Sequence, residues 1–394
     1  MLLKYGVALT TLCALSLALK KRVDVPFEWR DGINYTWPSY EAYQRAVENN
    51  LYVKGNNRLI NARFWKENIY LTIPRVNMGV PVTLAVTQVS PMNRTTKAPL
   101  LEPYPNWEMQ KEDANCSGLQ LVWAIEIDPT GRLWVLDSGR FDWTTKKVRC
   151  PARLVILDLE AGGKVVTSHV FPTNVADPGN ILLSQIVLDH ENGGLAYISG
   201  VDNTGVIVFS LQNLTSWRLD FGSSIYCLLL SPADTEGADR VLYYTTIYPS
   251  KVFQVPTRVL LDKSLTSKMR QLESEELGFT PLLDRMVGMT MSNKGTMFLV
   301  SRSDDGDGIL LHKWESSKSQ YFDTTAKTFG WPKIHVTFPT RTPAFDENGD
   351  LWIIDNFRSN NRGITFLKIG MKNYQYYKNG TVPKLWNRNH PGSF

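Results

Sequence analysis

Side chains able to carry acid–base or nucleophilic chemistry are few and scattered in this sequence of 394 residues. None of the histidines, at 169, 190, 312, 335 and 390, has a His or Cys partner at a metal-ligand spacing. There is no G-x-S-x-G elbow, no H-E-x-x-H pair, no Cys-x-x-Cys and no Walker loop. Asp346-x-Asn348-x-Asp350 imitates the opening of a calcium loop but lacks the later Glu ligand, and reads as turn chemistry. Asp304-Asp305-Gly306-Asp307-Gly308 reads as an exposed acidic loop. No metal and no cofactor is therefore expected. If the chain moves a proton, Asp137, Asp355 or a nearby histidine is the available general base. Both aspartates end apolar stretches, Leu133-Trp134-Val135-Leu136-Asp137 and Leu351-Trp352-Ile353-Ile354-Asp355.

Those stretches belong to a recurring hairpin: a short apolar strand, a Gly/Asn/Asp turn, then an apolar strand carrying an aromatic. Ala124–Asp128 turns through Pro129-Thr130-Gly131, Gly288–Met291 through Asn293-Lys294-Gly295, and Ala344–Asp346 through Glu347-Asn348-Gly349. Looser copies begin at Arg63, Ile186 and Leu228. Asn and Gly reach positive φ cheaply, which is what tightens such hairpins. The aligned aromatics are Tyr70, Trp134, Tyr197, Tyr243, Phe298 and Trp352, separated by 64, 63, 46, 55 and 54 residues. A unit of that length holds about four strands, the blade of a propeller. The expectation is an all-β, six-bladed β-propeller occupying 19–394 as one domain, with a sandwich or a two-domain β protein behind it. The six aromatics are expected in the core. Leu265–Leu277 is the best candidate for a helix, as an insertion between blades.

Lys4 precedes an apolar run from Val7 to Leu19, and Ser16-Leu17-Ala18 suits a signal peptidase. The run is shorter than the roughly 20 residues a membrane span needs, so 1–18 is expected to be a signal peptide and the protein to be secreted, with no membrane anchor. Loss of Cys13 with that segment leaves Cys116, Cys150 and Cys227, enough for at most one internal pair. Asn-x-Ser/Thr sequons start at Asn34, Asn93, Asn115, Asn213 and Asn379 and are expected to be glycan acceptors on surface loops. The net charge of +5 comes without a clustered basic patch, so no nucleic-acid partner is expected.

The stretch from Cys116 to Asp158 resembles the yellow and major royal jelly protein family. It carries Val122-Trp123-Ala124-Ile125-Glu126-Ile127-Asp128, Gly131-Arg132-Leu133-Trp134-Val135-Leu136-Asp137-Ser138-Gly139, Cys150-Pro151 and Leu154–Leu159. Further matches are Ala196-Tyr197-Ile198-Ser199, Gly205–Val208, Ser216-Trp217-Arg218 and Leu230-Ser231-Pro232, and the likeness runs from about Phe27 to Phe366. It implies a secreted insect protein with six blades and a disulfide between Cys116 and Cys150, worth about 3 kcal/mol in the entropic picture. Cys227, on an apolar strand, is left as a buried, inert thiol. Some members bind biogenic amines in the central channel, and others are associated with dopachrome conversion. By that resemblance Asn356 and Thr342 are ligand contacts, with Phe357, Arg358 and Arg341 beside them. Arg341 and Arg358 would repel an ammonium group, which favours an anionic or catecholic ligand.

These observations point to a secreted protein of pigmented or hardened extracellular matrix, cuticle or eggshell, with a small aromatic ligand in the channel. A dopachrome-converting isomerase and an amine scavenger are the alternatives. Tyr374, Tyr376 and Tyr377 read as an aromatic surface strip, or as crosslinking sites in an eggshell component.

Overall fold

The structure is a computed structural model that describes residues 23–90, 97–112, 115–139, 148, 150–190, 193–201, 204–232, 240–246, 251–267, 274–279, 286–302, 309–315, 327–330, 343–356 and 363–371. The proposed signal segment, Asn93, Asn379, the acidic stretch 304–308 and Tyr374, Tyr376 and Tyr377 lie outside these residues.

The first strand, β1 (Val23–Trp29), is set aside by the chain and used last. After helix α1 (Tyr40–Glu48), β2 (Asn61–Trp65), β3 (Asn68–Thr72), β4 (Leu84–Gln88) and β5 (Glu102–Pro103) form sheet 1. Sheet 2 is β6 (Val122–Ile127), β7 (Arg132–Asp137), β8 (Arg153–Asp158) and β9 (Lys164–Val170). Sheet 3 has seven strands: β10 (Leu182–Asp189), β11 (Leu195–Val201), β12 (Thr204–Ser210), β13 (Thr215–Leu230), β14 (Val241–Thr246), β15 (Lys251–Pro256) and β16 (Glu275–Phe279). Sheet 4 is β17 (Met286–Met291), β18 (Thr296–Arg302), β19 (Ile309–Glu315) and β20 (Lys327–Gly330). In sheet 5, β21 (Ala344–Phe345), β22 (Leu351–Asn356) and β23 (Ile364–Ile369) are completed by β1, which pairs antiparallel with β23. The two ends of the chain thus share one sheet.

The sheets pack face to face in a circuit. Tyr70 and Leu84 of sheet 1 meet Val135 and Ile125 of sheet 2. Trp134 and Ile156 meet Ile198 and Phe209 of sheet 3. Leu229 and Tyr243 of sheet 3 meet Met289 and Leu299 of sheet 4. Phe298 and Val300 meet Ile353 and Leu367 of sheet 5, and Trp352 and Phe366 meet Phe64 and Leu71 of sheet 1. Within sheet 3, Tyr197 and Val208 pack on Leu228 and Tyr244, so this sheet folds back on itself along β13. The arrangement is all-β and propeller-like, the sheets packing face to face while outer strands such as β9 stay partly exposed.

The expected aromatics are all buried; five lie on the second strand of their sheet and Tyr243 on β14, the strand after β13 in sheet 3. In two of these hairpins the turn aspartate also holds the indole. Asp128 accepts from Trp134 Nε1 at 3.0 Å, and Asp346 accepts from Trp352 Nε1 at 2.8 Å. Asp346 also accepts from the backbone amides of Asn348 and Asp350, which makes the calcium-like sequence a turn brace. Ser292 occupies the same place where the aromatic is Phe298, a ring with nothing to donate. Gly131 and Gly349 sit at φ +80° and +77°, the left-handed value these turns require.

One expected element is different. The described parts of Leu265–Leu277 form no α-helix: Lys263–Ser267 is a short 3-10 turn and Glu275–Phe279 is strand β16, paired with β15. Asp262 accepts from the amide and hydroxyl of Ser264, which competes with helix hydrogen bonding. Leu277 gains more by entering the core between sheets 3 and 4 than a surface helix could offer it.

Candidate functional site

The first strands of the sheets, together with β13 in the middle of sheet 3, lie side by side: β21 beside β2, β2 beside β6, β6 beside β10, β10 beside β13 and β13 beside β17. Their starting ends meet at one end of the molecule. There Ile60, Leu121, Trp123 and Leu182, from three neighbouring sheets, form one apolar cluster with Val76 against it. This is the axial mouth.

Four of these strands break register at the same step. The pairing skips Trp123, Ser184, Tyr226 and Val287, each opposite the third residue after the buried aromatic of the next strand. A bulge frees one residue from the ladder and re-aims it. The repeated bulge sets Trp123, Ser184 and Tyr226, all buried, at the same step of their strands.

The second strands end at that level with buried polar residues: Asp137 and Ser138, Ser199, Thr245 and Thr246, Ser301, and Asp355 and Asn356. Several stitch one sheet to the next. Asn356 Nδ2 donates to the carbonyl of Leu59 at 2.8 Å, tying sheet 5 to sheet 1. Ser138 Oγ accepts from Leu183 N at 3.0 Å and Thr72 Oγ1 donates to Trp123 O at 3.0 Å, while within sheet 3 Gln185 Oε1 accepts from Leu228 N at 2.7 Å. Ser301 Oγ and His312 Nε2 are 2.8 Å apart and both buried, a hydroxyl–imidazole pair within sheet 4.

The two candidate carboxylates occupy the same step of their hairpins but have different surroundings. Asp137 accepts from the amides of Gln120, Leu121 and Gly139 and pairs with Arg153 Nε at 3.2 Å. Both its oxygens are committed, so its role is to brace the backbone. Asp355, equally buried, faces Thr365 across the sheet where Asp137 faces Arg153. The two positions therefore differ in the residue that stands opposite the carboxylate. Thr342, Arg341, Phe357 and Arg358 lie outside the described residues. Asn34, Asn115 and Asn213 are exposed. Cys116 and Cys150 form a disulfide, and Cys227 is buried.

Sequence reasoning missed Trp123, Tyr226, Gln185, Arg75 and Arg153. Trp123 and Tyr226 were visible as a second aromatic near the start of an apolar strand, in Val122-Trp123 and Ile225-Tyr226, but the bulges at which they sit have no local signature. The Arg153–Asp137 pair follows from register, which fixes them directly opposite each other.

This end of the molecule therefore gathers buried aromatic rings, amide and hydroxyl groups and carboxylates. The family model described as Major royal jelly protein matches residues 120–226, from the brace at Gln120 to the bulged Tyr226. The chain is 26% identical over 380 residues to "Dopaminechrome tautomerase" of Drosophila melanogaster, covering 86% of this chain and 78% of that protein. The chain belongs to the yellow and major royal jelly protein family. Two further relatives are "Protein yellow" of Drosophila erecta, 25% identical over 364 residues and 84% of this chain, and "Major royal jelly protein 9" of Apis mellifera, 33% identical over 207 residues and 51% of this chain. The matches cover 64% and 47% of those two relatives, less than two thirds of either. Both bulged aromatics of the yellow-family mouth fall inside the matched segment 120–226.

Proposed function

We propose that this yellow-family chain is a secreted, six-bladed propeller that serves pigmentation or hardening of an extracellular matrix, cuticle or eggshell, by holding a small catechol-derived aromatic at its axial mouth. The blade count rests on β13: its first part pairs with β12 and its last part with β14, so sheet 3 reads as two four-stranded blades sharing one long strand. Secretion is supported by the apolar leader, the Cys116–Cys150 disulfide, which suits an oxidising compartment, and the exposed sequons at Asn34, Asn115 and Asn213.

The observation that carries the ligand reading is the repeated bulge at Trp123, Ser184 and Tyr226, at one step of three strands, with the buried polar pair Asp355 and Asn356 ending β22. Aromatic walls favour a flat ring, and the amide and hydroxyls suit catechol oxygens. A second reading, conversion of an aminochrome, is favoured by the similarity to a dopaminechrome tautomerase along most of the chain. Tautomerisation moves a proton from carbon, and on this reading Asp355 would accept it.

The test is calorimetry of the secreted protein with dopamine, dopa, serotonin and octopamine, alongside the absorbance decay of fresh dopaminechrome and dopachrome. Binding of catechols without faster decay supports the holding role. Faster decay that Asp355→Asn abolishes, with binding retained, establishes the converting enzyme. Tight serotonin binding without turnover turns the assignment to an amine scavenger, and no binding by any compound overturns the ligand reading.

A further inference from the structure

The connection that enters sheet 2, residues 116–121, is held along almost its whole backbone by buried charged and amide side chains. Arg153 Nη1 donates to Cys116 O at 2.7 Å and its Nη2 to Gly118 O at 2.6 Å. Arg75 Nη1 donates to Leu119 O at 2.6 Å and Gln120 O at 2.7 Å, and other donors of the same guanidinium reach Val80, Pro81 and Gln110. Asp137 accepts from the amides of Gln120 and Leu121, and Gln120 Nε2 donates back to Gly118 O. Burial pulls the Arg75 guanidinium below its ordinary value, and Glu112 at 3.1 Å works against that pull. Burying two guanidinium groups and a carboxylate is costly, and well-packed apolar residues would stabilise such a turn as well or better. What the charged arrangement supplies is a fixed backbone path.

That path leads from the disulfide to the bulge. Cys116, at φ +58°, is joined to Cys150, and Cys150 is followed three residues later by Arg153. Arg153 grips the start of the connection and Asp137 grips its end, one residue before Val122 and two before Trp123. Val122 N is tied to Thr83 Oγ1 and Trp123 O to Thr72 Oγ1, so the bulge is held from sheet 1 as well. A site keeps its geometry when the groups behind it are locked in this way.

We propose that Arg153 is a positioning residue that fixes Trp123 at the axial mouth, and that the Cys116–Cys150 disulfide, by anchoring the same connection, sets the affinity of the mouth for small aromatic ligands. The affinity half of this rests on the ligand reading above; the positioning half does not. Reduction of the disulfide releases Cys116 and the carbonyl that Arg153 holds, and Trp123 loses its fixed orientation without unfolding of the sheets.

The experiment uses full-length oxidised protein labelled with 5-fluorotryptophan, with the Trp123 resonance identified by its loss in Trp123→Phe. Arg153→Lys, and separately wild type after mild reduction, are expected to shift or broaden that resonance while those of Trp134 and Trp352 hold. Calorimetry with dopamine then compares wild type, Arg153→Lys, Trp123→Ala and the double variant. The expected losses are about thirtyfold for Trp123→Ala, the size of a removed aromatic anchor, and about tenfold for Arg153→Lys, with the double variant no weaker than Trp123→Ala alone. An unmoved Trp123 resonance in both the lysine variant and the reduced protein overturns the positioning role. Additive losses overturn the link to affinity. If wild type binds no dopamine, the affinity half falls, while the fluorine spectra still decide the positioning half. The reduced wild type keeps the test available should Arg153→Lys not fold.

Discussion

Acidification should weaken this protein in a window set by one residue, His190. The imidazole is buried at the end of β10, opposite the axial mouth, where three parts of the fold meet. Asp128 and Arg132 face it from the β6–β7 turn, Asp189 precedes it, and Arg240, which pairs with Asp189 at 3.1 Å, reaches in from the start of β14. Burial is the largest influence and lowers its pKa from 6.5 to about 4, with Asp128 and Asp189 pulling upward and Arg240 and Arg132 pushing down. The folded state thus keeps His190 neutral while the unfolded chain takes up a proton near pH 6.5. The stabilisation is complete above that value and is lost as pH falls toward about 4. A difference of about 2.5 units corresponds to about 3 kcal/mol, most of it gone by pH 4.5. Asp128 does not confuse the window. Burial raises its pKa, but Arg132, His190 and the hydrogen bonds from Thr130 and Trp134 bring it below 3.8, so its own loss comes at lower pH. The assay is urea unfolding of the oxidised protein at pH 7.5, 6.5, 5.5 and 4.5, for wild type and His190→Gln. His169, whose pKa burial also lowers, is present in both and cancels in the comparison. Wild type should lose about 2–3 kcal/mol more than the variant between pH 7.5 and 4.5. Parallel pH profiles for the two proteins would show that His190 is not the group responsible.

Other changes test other joints. Asp346→Ala removes the acceptor for two turn amides and the Trp352 indole and leaves Lys368 without that partner; urea unfolding should show a loss of about 3 kcal/mol. Asn356→Ala breaks the side-chain tie to Leu59 and should cost about 1 kcal/mol by the same measurement. Gly139→Ala meets two obstacles, a φ of +68° and a Cβ only 2.0 Å from the carbonyl oxygen of Cys150, so its unfolding midpoint should fall by more than a change of about 1 kcal/mol produces. Removing the disulfide, which spans 34 residues, should cost about 3–4 kcal/mol in thermal unfolding under reducing conditions.

The hairpins were legible because their information is local. An apolar run, a turn residue that accepts positive φ and a following aromatic lie within about a dozen residues, and Asp128–Trp134 and Asp346–Trp352 repeat one solution. Pairings that depend on distant residues were not legible. β1 joins β23 although more than 300 residues separate them, and only the alternation that buries Phe27 and Trp29 hints that this segment is a strand. The long β13 was hidden because Phe221 to Ser224 interrupts its apolar pattern while its backbone stays extended. The Leu265–Leu277 segment was misread because its leucine spacing suits a helix, whereas its partner, the edge of β15, appears only once the sheet is assembled. Within the site, the aspartates were found as chemical types, but register decides which arginine or threonine stands opposite each, and register is a tertiary property.

That last point bears on how one repeat can build both a brace and a site. Asp137 and Asp355 stand at the same step, three residues beyond the buried tryptophan of their strands, and both are fully buried. A buried carboxylate is tolerable only if its surroundings bond or neutralise it. In sheet 2 the third strand supplies Arg153, and the charge is used to hold the connection on which Trp123 rides. In sheet 5 the third strand supplies Thr365, a neutral side chain, so cross-strand charge cannot bind Asp355 as it binds Asp137. Exchanging the two cross-strand partners would exchange the electrostatics of the two positions without changing either hairpin. The divergence of two copies of one motif thus comes down to the residue opposite: an arginine that joins the carboxylate to the entering connection in sheet 2, and a threonine in sheet 5.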